Sequence, residues 1–571
     1  MTHIKAEAPA RALLVGLYSH QYPAIGESHG LSVVAGSLRA SMPARDLDMH
    51  VLDMVEWGEE GGDRAVDIIR RARANILAIG VSYGTFSVLG REYAAMRAAL
   101  CDPDPLIILG GPIASYMSDR ILRDIAPEAI IILGEADDAL PGLVRSWLAA
   151  STYQDIPNLH YLDRRTGEEV RTVRRLVNLE AARPPFRDHI GKIKQRGGQI
   201  FAETSRACSW AACTFCLRGL TDIAGRSYEF RRKASRLVAD DLNRVFRLGV
   251  RDVTLADEDF LGSSLDKADE FIGELESSRI EFPRLDASLT IHSVYSRKDT
   301  PEQAMRREEL LCRLRQIGLQ KVFLGIESCS PSQLKRYAKG HTREEAAAAV
   351  RRLQRLGLRV EIGVILFDPL CTIDEIEDSL KFMRGHGLSA LASGLSSELR
   401  LQVATHYLAL LERYEEKCGS KLHSGRLDPD TLSYPYTFSE ASAGRLYQAV
   451  GWWNRRLHPL YYPAKSLSRF GSTGSIGEAV YPVRKAVESF RDQECEAILH
   501  AIVSMRRGGD PEPELRAFLT DAAISLATAL QDMSNALDSA MVQHPVIQRA
   551  LLAARNVDAV VGPQTYREGS S

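Results

Sequence analysis

GQIFAETSRACSWAACTFC, residues 198–216, runs from an apolar strand pattern into a loop that carries three cysteines. The loop is spaced Cys208-x4-Cys213-x2-Cys216 and holds three of the nine cysteines of the 571-residue chain. No other Cys or His lies near it in sequence. Three readings are open. The thiols can be small buried hydrophobes beside Trp210 and Phe215. They can hold a structural zinc, but a closed zinc site needs four ligands, so the fourth must come from far along the chain. They can hold three irons of a four-iron cluster, which normally has four cysteines. In that last case one iron keeps a vacant position, open to a chelating substrate or cofactor.

The surroundings of the loop set its place in a fold. From 198 to 405, strand and helix alternate. The strands are GQIFAETS, DVTLAD, LDASLTIH, KVFLGIES, VEIGVILF and SGLSSELRL, separated by helical patterns such as ASRLVADDLNRVFRLG and REEAAAAVRRLQRLG. Six βα units are too few for a closed eight-fold barrel. They predict an open partial (β/α)6 barrel of TIM type, with the cysteine loop at the mouth formed by the strand carboxyl ends.

Residues 1–150 alternate as well. RALLVGLYS, DMHVLDM, ANILAIGVSYG, PLIILGG and EAIIILGEA are short, nearly continuous apolar runs, as expected of strands covered on both faces. They predict a doubly wound, flavodoxin-like (Rossmann-like) parallel sheet whose ligands sit beyond the carboxyl ends of the strands. Residues 151–197 read as a connector, with IPNLHYLDRRTGEEV as a small hairpin turning at Thr-Gly. In 406–571 the strand signal stops and long helical patterns form a C-terminal helical domain, ending in a frayed tail, VVGPQTYREGSS.

The totals limit function. Apolar residues are 45% and charged residues 26%, and 72 Lys+Arg nearly balance 74 Asp+Glu. This charge pattern gives no basic field for nucleic acid or a membrane surface. There is no signal-peptide pattern and no apolar run of transmembrane length, so a cytoplasmic protein is expected. The odd, scattered cysteines do not form a disulfide framework. Cys101, Cys312, Cys329, Cys371, Cys418 and Cys495 read as buried hydrophobes.

ETSRACSWAACTFC resembles the cluster loop of radical S-adenosylmethionine (SAM) enzymes, with one residue more in the first interval than the common Cys-x3-Cys-x2-Cys. The resemblance implies a 4Fe-4S cluster on Cys208, Cys213 and Cys216, with SAM on the open iron. An electron from the cluster splits SAM into methionine and a 5′-deoxyadenosyl radical. Phe215 then corresponds to the aromatic residue that lies against the adenine. LADEDF ends the second strand where the family holds the SAM amino group, at Asp257 and Glu258. GIESCSPSQLKRYAKGHT resembles the segment in which Glu327 and Ser328 reach the ribose or methionine of SAM. Ser330-Pro331 also fits a helix start. GVILFDP resembles the strand that borders the adenine, through Gly363, Ile365 and Phe367.

The order of Rossmann-like domain, connector and radical SAM barrel resembles the cobalamin-binding class of these enzymes, and ESHGLSVVAGSLRAS, LGGPIAS and IILGEADDAL resemble its N-terminal domain. This implies a cobalamin on the carboxyl edge of the sheet. Its tail would pass Gly110 and Gly111 and bond to Ser82 and Thr85. The first strand lacks GxGxxG, so a dinucleotide site is poorly supported. LYSHQYPAIG lacks Asp-x-His-x-x-Gly, so His20 is expected to be a polar loop residue, with cobalt lacking a histidine ligand.

The expected function is a cobalamin-dependent radical SAM methyltransferase. It would methylate an unactivated carbon of a small molecule, such as a natural-product intermediate, with flavodoxin or ferredoxin as electron donor. Rearrangement, cyclisation or oxidation on the same scaffold is the alternative within enzymes. A non-catalytic corrinoid- or zinc-binding protein is the alternative of another class. WWNRRLHPLYYP reads as helix packing or as a stacking wall for substrate.

Overall fold

The computed structural model describes residues 9–23, 26–217, 230–278, 281–467, 470, 474–537 and 539–557. The sequence tail at 560–571 lies outside them.

The first sheet contains β1 (Ala10–Gly16), β2 (Leu47–Asp53), β3 (Ile76–Gly80), β4 (Leu106–Gly110), β5 (Ile130–Ile132), β6 (Leu159–Leu162) and β7 (Glu169–Arg171), in the order β2-β1-β3-β4-β5-β6-β7. The first five strands are parallel. Alternate residues feed two cores: Leu13, Val15, Leu77 and Ile79 on one face, and Ala12, Leu14, Ile76 and Ala78 on the other. This two-sided burial is why these strands read as unbroken apolar runs. The connector hairpin is not a separate unit. It adds β6 and β7 antiparallel to the β5 edge.

The second sheet is built from β8 (Phe201–Ala202), followed by a two-stranded ribbon of β9 (Ser205–Arg206) and β10 (Arg231–Arg232). It continues through β11 (Asp252–Leu255), β12 (Arg284–Leu289), β13 (Leu319–Glu327) and β14 (Arg359–Val364), all parallel, in the order β14-β13-β12-β11-β8. The sixth unit is not a continuous strand. SGLSSELRL and the residue before it touch the sheet through isolated parallel bridges, Ile362 to Ala392 and Phe367 to Glu398. Leu285, Ala287 and Leu289 of β12 pack outward on the helices, while Asp286 and Ser288 are only half-buried.

The lower barrel carries charge rather than aliphatic layers. Lys321 lies 2.7 Å from Glu361 and 4.0 Å from Asp286, and Lys465 closes on Glu361 at 2.8 Å. Lys465 comes from the long helix Ala441–Ser466, so the C-terminal helices seal this end. In the same helix the aromatic run is packed in part: Trp453 and Tyr461 are buried while Tyr462 is exposed, and Arg491 stacks on Tyr461 at 4.0 Å and bonds its hydroxyl at 2.8 Å.

A buried Arg187 joins the two halves. Its guanidinium bonds Glu27 of the first domain at 2.8 Å and Asp241 of the barrel at 2.6 and 2.9 Å. Among the described residues no helix is long and apolar enough to cross a membrane.

Candidate active site

The cysteine loop is tied down on every side. The carboxylate of Asp257 accepts the Thr204 and Ser205 amides at 2.8 and 3.0 Å and the Thr204 hydroxyl at 2.5 Å. Asp259 accepts the hydroxyls of Ser209 and Ser293. Farther along, Trp210 Nε1 donates to the Ala338 carbonyl at 2.9 Å, and the Thr214 amide donates to that of Tyr337 at 3.0 Å. The Tyr407 amide donates to the Thr214 carbonyl at 2.8 Å. Ala207 (φ +68°) and Ala211 (φ +44°) take left-handed backbone, which turns the chain sharply on either side of Cys208. Ala211 lies in the longer first interval.

Cys208, Cys213 and Cys216 are half-buried. Burial raises the Cys208 thiol and pushes Cys213 up to about 11, against the pull of Lys339. A bound cationic centre reverses this by deprotonating the ligand outright. Among the described residues, the group of ligand atoms all within 4.8 Å of one another is Asp119, His160 and Glu169, not the thiols. The Asp119 group needs no ion: Arg171 bridges both of its carboxylates. Cys329 and Cys371 are fully buried, with burial raising both thiols, and behave as core residues.

The residues expected around SAM divide into two sets. Phe215, Glu327, Gly363 and Ile365 come together. Glu327 has φ +68°, at an irregularity in the β13–β14 register. Its carbonyl accepts the Ile365 amide at 2.7 Å. Its carboxylate lies 3.5 Å from Lys339 Nζ, and a Cβ on Gly363 would stand 3.3 Å from it. Phe215 lies under the Lys339 ammonium at 5.9 Å and packs with Ile365 around Tyr337. Strain of this kind in a non-glycine residue collects at functional sites.

Asp257 and Ser328 are engaged elsewhere. Asp257 holds the strand into the loop, as above. The Ser328 hydroxyl donates to Gln333 at 2.6 Å and accepts the Ser330 amide at 3.0 Å, fixing the start of the next helix. Of the acidic triplet, Glu258 alone is half-buried, between two fully buried aspartates.

Sequence reasoning missed Asp259, Gly325 and Lys339. A Cβ on Gly325 would lie 2.5 Å from Glu327 Oε1 and 3.5 Å from Lys339 Nζ. The glycines at 325 and 363 therefore leave the space in which a buried cation and a carboxylate face each other. Burial opposes the Lys339 charge, but Glu327 and the thiols raise it, so the ammonium stays protonated. The Lys-Gly of YAKGHT was the available signal.

At the first sheet's carboxyl edge, a Cβ on Gly110 would meet nothing within 4 Å, so the edge is open there. Gly111 is a turn residue: at φ +99°, a Cβ would lie 2.6 Å from the Val81 carbonyl oxygen. The Ser82 side chain is exposed. Thr85 is not available in the same way. Its hydroxyl accepts the Ser82 amide at 3.0 Å and donates to the Ser82 carbonyl at 2.9 Å. His20 is exposed and meets Tyr18 edge-on at 5.0 Å. Asp430 seals the rest of the turn, taking the Gly84 amide on its carbonyl at 2.7 Å and the Ser87 amide on its carboxylate at 3.1 Å.

Three thiols thus stand at a barrel mouth beside the carboxyl edge of a Rossmann-like sheet, and each of the two halves is similar to a known domain family. Residues 18–144 match the B12 binding domain and residues 202–383 match the radical SAM superfamily. The chain thus joins a B12-binding domain to a radical SAM domain, and its cofactors are a 4Fe-4S cluster, SAM and cobalamin.

It is similar to the 4′-phospho-dehydrooxetanocin synthase of Priestia megaterium, 24% identical over 448 residues. That match covers 70% of this chain but only 59% of the synthase. The structure of the cobalamin-dependent SAM radical enzyme OxsB with aqua-cobalamin and SAM bound superimposes with a TM-score of 0.77 at 20% identity. It covers 96% of this chain and 84% of that one. The radical SAM methyltransferase TsrM of Kitasatospora setae gives 0.56 at 15% identity, over 74% of this chain and 82% of its own.

Proposed function

We propose that this radical SAM enzyme binds a small molecule between the carboxyl edge of the first sheet and the barrel mouth, and methylates an unactivated carbon of it. The observation that supports this is the direct bonding of that edge to the cluster loop. Arg206, two residues before Cys208, holds Asp137, which follows β5. The cluster, SAM and cobalamin would then border one space.

When bound, the cluster and SAM supply a 5′-deoxyadenosyl radical and cobalamin supplies a methyl group. The chain positions them and excludes water. Cys208, Cys213 and Cys216 hold the cluster. Phe215 and Ile365 form an apolar wall for the adenine, with Gly363 giving room beside it. Lys339 draws the SAM carboxylate, while Glu258 and Glu327 take its amino group and ribose. Gly110 and the Ser82 hydroxyl receive the corrinoid tail. A flavodoxin or ferredoxin supplies the electron.

A second reading, rearrangement or oxidation without methyl transfer, is favoured by the extent of the likeness. OxsB covers 96% of this chain, C-terminal helices included, whereas TsrM covers 74%. Anaerobic turnover of a metabolite library with labelled SAM separates the two. Methyl transfer yields S-adenosylhomocysteine together with 5′-deoxyadenosine, and the second reading yields 5′-deoxyadenosine alone.

A further inference from the structure

Arg206 is the hub of a buried network between the two domains. Its guanidinium donates to both oxygens of Asp137, at 2.8 and 3.0 Å, and to both oxygens of Glu203, at 2.8 and 3.2 Å. Glu135 stands 3.5 Å away. Arg231 grips Glu135 through two nitrogens, and Lys233 reaches Glu203 at 2.8 Å. Glu135 and Asp137 belong to the first domain, just past β5; the other four residues belong to the barrel side. Three cations face three carboxylates, and none of the six side chains is more than 17% exposed.

Charge balance of this kind adds little net stability, because desolvation offsets the attraction. What it does fix is geometry. A planar guanidinium engages two carboxylates in a fixed plane, each through both oxygens, whereas an ammonium is a point charge on a flexible stem and sets no such plane. Only Ala207 separates Arg206 from the first cluster ligand, so the clamp leaves almost no slack. Arg187 pins the domains at a second place, through Glu27 and Asp241. Other bonds cross between the halves, such as the Gly84 amide to the Asp430 carbonyl at 2.7 Å and the Glu27 amide to the Gln199 carbonyl at 3.0 Å, but Arg206 is the one of these groups that lies beside a cluster ligand.

We propose that Arg206 is a positioning residue that sets the gap between the corrinoid edge of the first domain and the cluster loop. This rests on the cluster and cobalamin sites described above. The clamp acts through distance, not through contact with either cofactor.

The test uses full-length protein reconstituted anaerobically with iron, sulfide and hydroxocobalamin, then reduced so that cluster and Co(II) are both paramagnetic. Pulsed dipolar EPR reads the distribution of distances between the two spins. Arg206→Lys is expected to keep wild-type iron and cobalt per chain while its distance distribution broadens about twofold, as loss of a rigid supporting shell implies. A distribution as narrow as the wild type's overturns the proposal. If Arg206→Lys fails to hold its cofactors, Asp137→Asn decides by the same readout, because it leaves Arg206 bonded to Glu203; a wild-type width there overturns the proposal. Wild-type protein that binds no cluster or no cobalamin is a different result, and removes the underlying reading with it.

Discussion

Trp210 and Gly340 share one space. A side-chain carbon on Gly340 would sit 2.0 Å from the Trp210 indole, and Gly340 has φ +70°. The indole also bonds the Ala338 carbonyl at 2.9 Å, so the cluster loop is seated against this turn. Gly340→Ala must therefore displace the loop. Overpacking and the left-handed backbone together cost about 1–3 kcal/mol locally. The expected outcome is reduced iron and sulfide per chain after reconstitution, with the far-UV circular dichroism unchanged. Wild-type iron content would show that the loop does not depend on this seat.

The cysteines divide by place: those of the loop are half-buried, Cys329, Cys371 and Cys495 are buried, Cys312 is half-buried, and Cys101 and Cys418 are exposed instead of the buried hydrophobes expected. Single Ala substitutions of Cys208, Cys213 or Cys216 should each abolish the visible absorption of a reconstituted cluster. Cys329→Ala and Cys371→Ala should leave it intact, because both thiols lie fully buried in the apolar core. Their cost is a small cavity, ~1 kcal/mol, read as a lower melting temperature. Absorption lost with Cys371→Ala and kept with Cys216→Ala would reverse the assignment.

The two sheets were legible because strands buried on both faces must be apolar throughout, as in ANILAIG and PLIILGG. The spacing of the cysteine loop marked it as a site but left three readings open, and the cluster was implied by a family resemblance rather than by the spacing. The division of labour among polar groups was not. Asp257, Ser328 and Thr85 have the chemistry of ligands, but each is engaged by neighbours that only the fold supplies: Thr204 and Ser205, Gln333, and the Ser82 backbone. Lys339 is far in sequence from Cys213 and meets it only when the loop docks. The sixth strand reads well locally, but it meets the sheet only at isolated bridges, Ala392 opposite Ile362 within β14 and Glu398 opposite Phe367 beyond its end.

Asp257 carries a pH signature. Burial pushes its carboxyl up to about 6, from an ordinary value near 3.8. The folded state therefore holds this proton more tightly than the unfolded chain. The stabilisation is full below about pH 4, falls as pH rises to about 6, and is then gone, amounting to about 3 kcal/mol for a two-unit shift. Asp257→Asn removes the titration and keeps the two amide bonds on its oxygen, while the Thr204 hydroxyl must turn from donor to acceptor of the new amide. Relative to wild type, the variant's melting temperature should thus improve from pH 4.5 to pH 7. A constant difference across that range would mean that Asp257 is ionised at little cost.

Gly325 tests the SAM site without touching a cluster ligand. A methyl group there would stand 2.5 Å from Glu327 Oε1, closer than any Cβ contact allows, with Lys339 Nζ at 3.5 Å. The Glu327 backbone is held, with φ at +68° and its carbonyl on the Ile365 amide, so the side chain alone must give. The carboxylate must swing away and separate from Lys339. If these two groups hold SAM, Gly325→Ala should weaken SAM binding about tenfold, equivalent to ~1.4 kcal/mol, with full iron content. Anaerobic equilibrium dialysis of the reconstituted protein with labelled SAM measures this directly. Unchanged affinity alongside an intact cluster would place SAM away from Glu327 and Lys339.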